Sequence, residues 1–82
     1  MPFFVYLLKC RGKTLYCGWT NDLEKRLRAH NAGKGGRYTR SRRPVKLAYS
    51  ARLKSRSAAM SMEAEIKSWP RGKKLALVKE RA

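Results

Sequence analysis

Two apolar runs near the N-terminus decide what this chain can fold into. Phe3-Phe4-Val5-Tyr6-Leu7-Leu8 carries no charge, and Leu15-Tyr16-Cys17-Gly18-Trp19 follows after a few polar positions. Short runs rich in aromatic and branched side chains read as strands. An unbroken apolar strand must be covered on both faces, so the first run is expected at the centre of a sheet. Arg11-Gly12-Lys13 is a polar turn in which Gly12 can take positive φ, and the second run returns antiparallel. Gly18 lies inside a strand pattern, where a missing side chain signals close approach of a ligand or of another chain segment. Each strand carries one tyrosine, Tyr6 and Tyr16.

The rest of the chain adds helices and one more strand. Thr20 or Asn21 can cap a helix, Asp22 favours its positive end, and Glu24 stands three after Asn21 as in a capping box. This helix is expected to reach about Asn31, with Gly33 as its stop. At about 100° per residue, Leu23, Arg26, Leu27 and His30 share one arc. The two leucines must face the sheet, so an arginine and a histidine are carried toward it. A buried guanidinium needs a partner, or it snorkels past Leu23 to water. A histidine so placed serves as a hydrogen-bonded packing residue or as a catalytic one.

Residues 33–44 form a loop with three glycines, five basic residues and one tyrosine. Lys34, Arg37, Arg40, Arg42 and Arg43 can follow a phosphate backbone, and Tyr38 can stack on a base. Val45, Leu47 and Tyr49 then alternate with Lys46, Ala48 and Ser50 as a half-buried third strand. Ser55-Arg56-Ser57 offers a cap to a second helix that reaches about Ser68, with Ala58, Ala59, Met62, Ile66 and Trp69 as its apolar face. Glu63 and Glu65 fall at opposite flanks of that face, and periodicity does not choose between them. Pro70 ends or kinks the helix. Residues 73–81 form a short terminal helix with Leu75, Leu77 and Val78 inward. The expected order is β-β-α-β-α-α, an α+β fold in a single domain over residues 1–82.

Charge narrows the function classes. Lys and Arg number 21 against 5 Asp and Glu, a net charge of +16. Such a chain attracts a polyanion, and nucleic acid is the commonest. No run approaches the roughly 18 apolar residues a membrane span needs. Met1-Pro2 lacks a basic n-region and the apolar run stops at Lys9, so the reading is no signal peptide and a cytoplasmic location. Cys10 and Cys17 have no Cys or His at metal-ligand spacing, and are expected as buried reduced thiols.

The tyrosine pair with Tyr16-Cys17-Gly18, the run Thr20-Asn21-Asp22-Leu23-Glu24-Lys25-Arg26-Leu27, and His30-Asn31 resemble the GIY-YIG nuclease superfamily. The likeness continues through Gly33-Lys34-Gly35, Tyr38-Thr39, Arg43-Pro44-Val45 and Glu63-Ala64-Glu65-Ile66-Lys67, so it spans nearly the whole chain. It looks most like the small stand-alone bacterial members. The resemblance implies a three-stranded antiparallel sheet flanked by helices. It also implies endonuclease cleavage of DNA with one divalent ion, Mg²⁺ or Mn²⁺, in DNA repair or recombination. By the same likeness Glu63 matches the metal-binding glutamate and Arg26 the arginine that holds the scissile phosphate. Tyr6 and Tyr16 match the motif tyrosines, one of them the base for the attacking water, and His30 matches a residue assisting proton transfer or phosphate contact. Phe4 and Cys17 replace a glycine and an isoleucine of the two motifs, and no asparagine follows Asn31.

The chemistry suits those residue types. A hard cation prefers oxygen ligands and keeps waters, so one carboxylate plus substrate phosphate can hold it. A guanidinium fork grips phosphate oxygens. A phenol with a pKa of about 10 needs cationic neighbours to act as a base, whereas histidine titrates at about 6.5. The alternative reading keeps the fold and basic surface as a non-catalytic module that binds DNA or RNA.

Overall fold

The unbroken apolar run becomes the middle of a three-stranded antiparallel sheet. The computed structural model describes residues 2–11, 14–35 and 42–81. Its strands are β1 (Phe3–Lys9), β2 (Leu15–Thr20) and β3 (Lys46–Leu53), in the order β2-β1-β3. Helices α1 (Leu23–Asn31), α2 (Arg56–Lys67) and α3 (Arg71–Arg81) complete the expected β-β-α-β-α-α order. The central position explains why Val5, Tyr6, Leu7 and Leu8 are at most 1% exposed.

Alternation along β1 divides the core between the two faces of the sheet. Val5 and Leu7 join Cys17 and Ile66 on the face covered by α2 and α3, where Met62, Trp69, Leu77 and Val78 pack. Tyr6 and Leu8 join Cys10 and Val45 on the other face, under Leu23 and Leu27 of α1.

The third strand departs from simple alternation. Its register shifts between Leu7 and Leu8, so Tyr49 stands opposite Leu7 while Leu47 stands opposite Leu8. Ala48 is the extra residue of a bulge, and it turns Tyr49 to the face opposite Leu47. Tyr49 therefore packs with Val5 and Leu7, Val45 packs with Tyr6, and Leu47 is left 41% exposed. The strand also continues to Leu53, because Ala51 and Leu53 keep pairing with Val5 and Phe3.

Helix starts follow the capping chemistry, with one revision. Asp22, and neither Thr20 nor Asn21, caps α1: its Oδ1 accepts from the Lys25 N–H at 3.1 Å. Thr20 Oγ1 instead accepts from the Asp22 N–H at 3.1 Å and fixes the turn into the helix. Gly33, with φ of 82°, ends α1, its N–H donating to the His30 carbonyl at 3.1 Å. Ser55 caps α2 by accepting from the Ala58 N–H at 3.1 Å. Ala59, Met62, Ile66 and Trp69 turn inward, while Ala58 is exposed. The Pro70 carbonyl accepts from the Lys73 and Lys74 N–H groups, so α3 begins at Arg71, earlier than residue 73. On α3, Leu77 and Val78 pack, whereas Leu75 is 38% exposed.

Both cysteines are buried and free. Burial, helped by the charge of Glu63, pushes the Cys17 thiol up to about 11, so it is protonated and unreactive at neutral pH. No helix among the described residues is long and apolar enough to cross a membrane.

Ile66 is fully buried between α2 and the sheet. Ile66→Ala should lower unfolding stability by about 2–5 kcal/mol, read as a drop in the urea midpoint at unchanged slope. An unaltered midpoint would mean that α2 is not clamped to the sheet through this side chain.

Candidate active site

Gly18 is where the two motif strands meet. Tyr6 lies opposite it across the β1–β2 ladder, and a Cβ on Gly18 would stand 2.5 Å from the Tyr6 hydroxyl oxygen and 2.7 Å from Cζ. The space of the missing side chain is filled by the phenol, so the close approach expected of Gly18 is made by another chain segment. The Tyr6 hydroxyl ends 3.1 Å from His30 Nε2, in a buried hydrogen bond. His30 is itself fully buried, carried inward on the same face of α1 as Leu23 and Leu27.

Tyr16 reaches the same imidazole from β2. Its ring centroid is 5.2 Å from that of His30, and the Tyr6 centroid is 6.1 Å away, edge-on. His30 therefore contacts both phenols. The phenols differ in access: Tyr6 is sealed in the core, and Tyr16 is half-buried at the edge of the sheet.

Arg26 stands one turn before His30 on α1 and is half-buried. Its Nη2 donates to the Gly35 carbonyl at 3.2 Å. It also rests against the Tyr6 phenol, so the guanidinium finds partners and does not simply snorkel to water. Gly35 packs so tightly on the His30 ring that a Cβ would overlap Nδ1. One glycine thus backs the imidazole and anchors the arginine, a role that no local pattern announces.

Burial dominates the titration of this cluster. It raises the Tyr6 pKa above its ordinary value; the contact and charge of Arg26 oppose the rise, while Tyr16 and Glu63 add to it. Burial, and then the charge of Arg26, hold His30 below its ordinary value. His30 is therefore neutral at pH 7.

The two glutamates that periodicity left equal differ in their surroundings. Glu63 lies against β2, its backbone carbonyl 4.0 Å from Cys17 Sγ, and its charge reaches Tyr6. Its side chain is 22% exposed, with Lys67 Nζ 3.8 Å from Oε1. Glu65 is exposed. Among the described residues no three His, Cys, Asp or Glu side chains form a metal-binding group. A partly exposed carboxylate suits a hard cation that keeps its waters and takes other ligands from phosphate.

The basic loop is described only at its ends. Lys34 is exposed, Arg42 is half-buried, and Arg43 Nη1 donates to the Asn31 carbonyl at 3.4 Å. Arg37, Tyr38 and Arg40 lie outside the described residues. The Asn31 side chain clasps Val45, accepting from its N–H at 2.8 Å and donating to its carbonyl at 3.2 Å. This clasp ties the far end of the loop to α1. Only its place directly after His30 hinted at it.

The family described as the GIY-YIG catalytic domain matches residues 2–76. A UPF0213 protein of Syntrophus aciditrophicus is 51% identical over 78 residues, covering 94% of this chain and 90% of that protein. A UPF0213 protein of Haloquadratum walsbyi is 49% identical over 77 residues, covering 94% and 86%. The solution NMR structure of a UPF0213 protein of Bacillus halodurans superposes with a TM-score of 0.62 at 39% identity, covering 96% of this chain and 84% of that one. An E. faecalis protein, also solved by NMR, gives 0.65 at 33% identity, covering 98% and 85%.

The depressed pKa of His30 has a consequence for stability. A folded-state value below the unfolded one means that protonation favours unfolding. The contribution is full above about pH 6.5 and is lost as pH falls through the folded value. Thermal midpoints between pH 8 and pH 5 should fall more steeply for the wild type than for His30→Gln, which has no ring to titrate. Parallel curves would contradict a buried, neutral His30.

Proposed function

This chain belongs to the GIY-YIG nuclease family, and from that premise we propose that it is a metal-dependent DNA endonuclease that hydrolyses phosphodiester bonds in DNA repair or recombination. The observation that carries the reading is one cluster: two phenols, a neutral imidazole and a guanidinium meet on the α1 face of the sheet, and the charge of Glu63, on a helix of the opposite face, reaches Tyr6. The site so proposed is Tyr6, Tyr16, Arg26, His30 and Glu63, in one domain formed by the whole chain.

Each residue takes the part its surroundings allow. The Gly35 carbonyl anchors one arm of Arg26, and the planar fork retains further N–H groups for phosphate oxygens. Tyr6, buried and shifted upward, stays protonated and holds His30 in place. Tyr16 is the phenol that water can approach, so it orients the attacking water. Neutral His30 packs beside the Tyr16 ring and holds it in place. Glu63 would hold Mg²⁺ or Mn²⁺, which supplies Lewis-acid neutralisation of the phosphate and leaving-group charge. Lys34, Arg37, Tyr38, Arg40, Arg42 and Arg43 would carry the flanking DNA backbone.

The Lys67–Glu63 pair favours a second reading, a basic module that binds nucleic acid without cutting it. A helical i,i+4 pair contributes only about 0.3–0.5 kcal/mol, so it yields readily to a divalent ion, and the nuclease reading stands first. Nicking of supercoiled and branched DNA with Mg²⁺ or Mn²⁺ tests it. Glu63→Gln and Arg26→Ala should each slow nicking by about 10²–10³-fold. Equal rates for wild type and Glu63→Gln would defeat the nuclease assignment. Tight binding without cleavage, across metals and substrate shapes, would establish the module instead.

A further inference from the structure

We propose that the cleft between Phe3, Trp19 and Arg56 is a stacking subsite for an unpaired nucleobase next to the phosphate held at Arg26. The proposal rests on the nuclease reading and names the substrate class of that same site. The cleft is open, about 460 Å³, and is lined by Phe3, Trp19, Thr20, Asn21, Arg26 and Arg56. That volume lies within the roughly 300–1,000 Å³ range of small-ligand clefts. A smaller cleft of about 220 Å³ shares Thr20, Asn21 and Arg26 and adds Asp22, Lys25 and Ala29. The guanidinium assigned to the scissile phosphate thus borders both, and the two form one groove around it.

The first cleft has the chemistry of a base platform. The rings of Phe3 and Trp19 lie 6.4 Å apart with a tilt of 48°. Both are half-buried, and neither is among the side chains packed on the two core clusters of the described residues. Its lining includes two arginines and no acid, which suits a base with phosphates on either side. Arg56 Cζ already sits 5.4 Å above the Trp19 ring, so that face accepts a flat partner. Stacking of a base on an aromatic ring is stronger than an exposed cation–π contact. An arriving base therefore takes the ring face, and Arg56, which is exposed, turns to the adjoining phosphate.

This arrangement selects among DNA structures. A paired base inside a duplex is already stacked between its neighbours and offers no face to Trp19. An unpaired nucleotide at a flap, bulge or strand end does. The preferred substrate is DNA with an unpaired nucleotide beside the cut, rather than continuous duplex.

Trp19 reports on this directly. The chain has two tryptophans, so Trp69→Phe leaves Trp19 as the sole indole. In EDTA, this variant is titrated with a single-stranded oligonucleotide and with a duplex of equal length, while anisotropy measures binding in parallel. Single strand should quench Trp19 emission strongly and duplex only weakly. Trp19→Ala should weaken single-strand binding about tenfold or more, Trp19→Phe should keep most of it, and Arg56→Ala should weaken it a few-fold. If Trp69 proves necessary for folding, the difference between the unaltered chain and Trp19→Phe isolates the same signal. Binding without any change in Trp19 emission, or equal quenching by duplex, would overturn the subsite. No bond is cut in EDTA, so that result would leave the cleavage reading standing. Quenching by single strand would support the subsite even if the nicking assay failed.

Discussion

The hydrogen bond between the Tyr6 hydroxyl and His30 Nε2 is the contact on which the rest of the site depends. It joins the central strand to α1 across 24 residues of sequence and is the polar seam in an otherwise apolar interface of Leu8, Cys10, Val45, Leu23 and Leu27. Both groups are fully buried. Leaving either unpaired would cost about 1–3 kcal/mol, a large share of what so small a domain has to spare. The two leucines alone would tolerate some rotation of α1 about its axis. The hydroxyl–imidazole bond does not, and in fixing His30 it fixes Arg26 one turn away. Gly18 makes the arrangement sterically possible, because any other residue would occupy the place of the phenol.

The two motif tyrosines differ because their strands differ. β1 is central, so Tyr6 is enclosed, shifted upward in pKa and kept as a protonated support. β2 is an edge strand, so Tyr16 meets solvent at its margin. An edge also solves a geometric problem. Tyr16 and His30 lie on the α1 face of the sheet, whereas Glu63 belongs to a helix on the opposite face. Groups from two faces can act on one substrate only around a strand with no neighbour beyond it. β2 is such an edge strand, and Glu63 lies against it.

Much of the fold was legible because it rests on short-range pattern. The unbroken run at Phe3 predicted a central strand, Ser55-Arg56-Ser57 a cap and Pro70 an end or kink; the strand is central, Ser55 is the cap, and the helix stops before Pro70. The bulge at Ala48 was not legible, since inserting one residue leaves the alternation of letters intact while inverting the side chains beyond it. Thr20, Asn21 and Asp22 can all cap, so local chemistry could not pick Asp22; the turn held by Thr20 Oγ1 did. The Asn31 clasp on Val45 and the hold of Gly35 on Arg26 and His30 are tertiary contacts without periodicity. The parts assigned to Tyr6, Tyr16, Arg26, His30 and Glu63 came from family likeness, because spacing alone placed only Arg26 and His30 on the sheet side of their helix.

Charge then constrains how the proposed reaction could be assembled. A net charge of +16 concentrates DNA around the protein and depletes divalent cations. Glu63, with Lys67 3.8 Å away, is on its own a poor cation site in that field. Phosphate reverses the local balance: it brings negative charge to Arg26 and the oxygen ligands that a single carboxylate leaves wanting. On the proposed chemistry, ion and DNA bind as linked events, each raising affinity for the other. On that proposal, a chain so basic, with a single carboxylate assigned to the ion, would hold a reactive metal only once the strand to be cut is present.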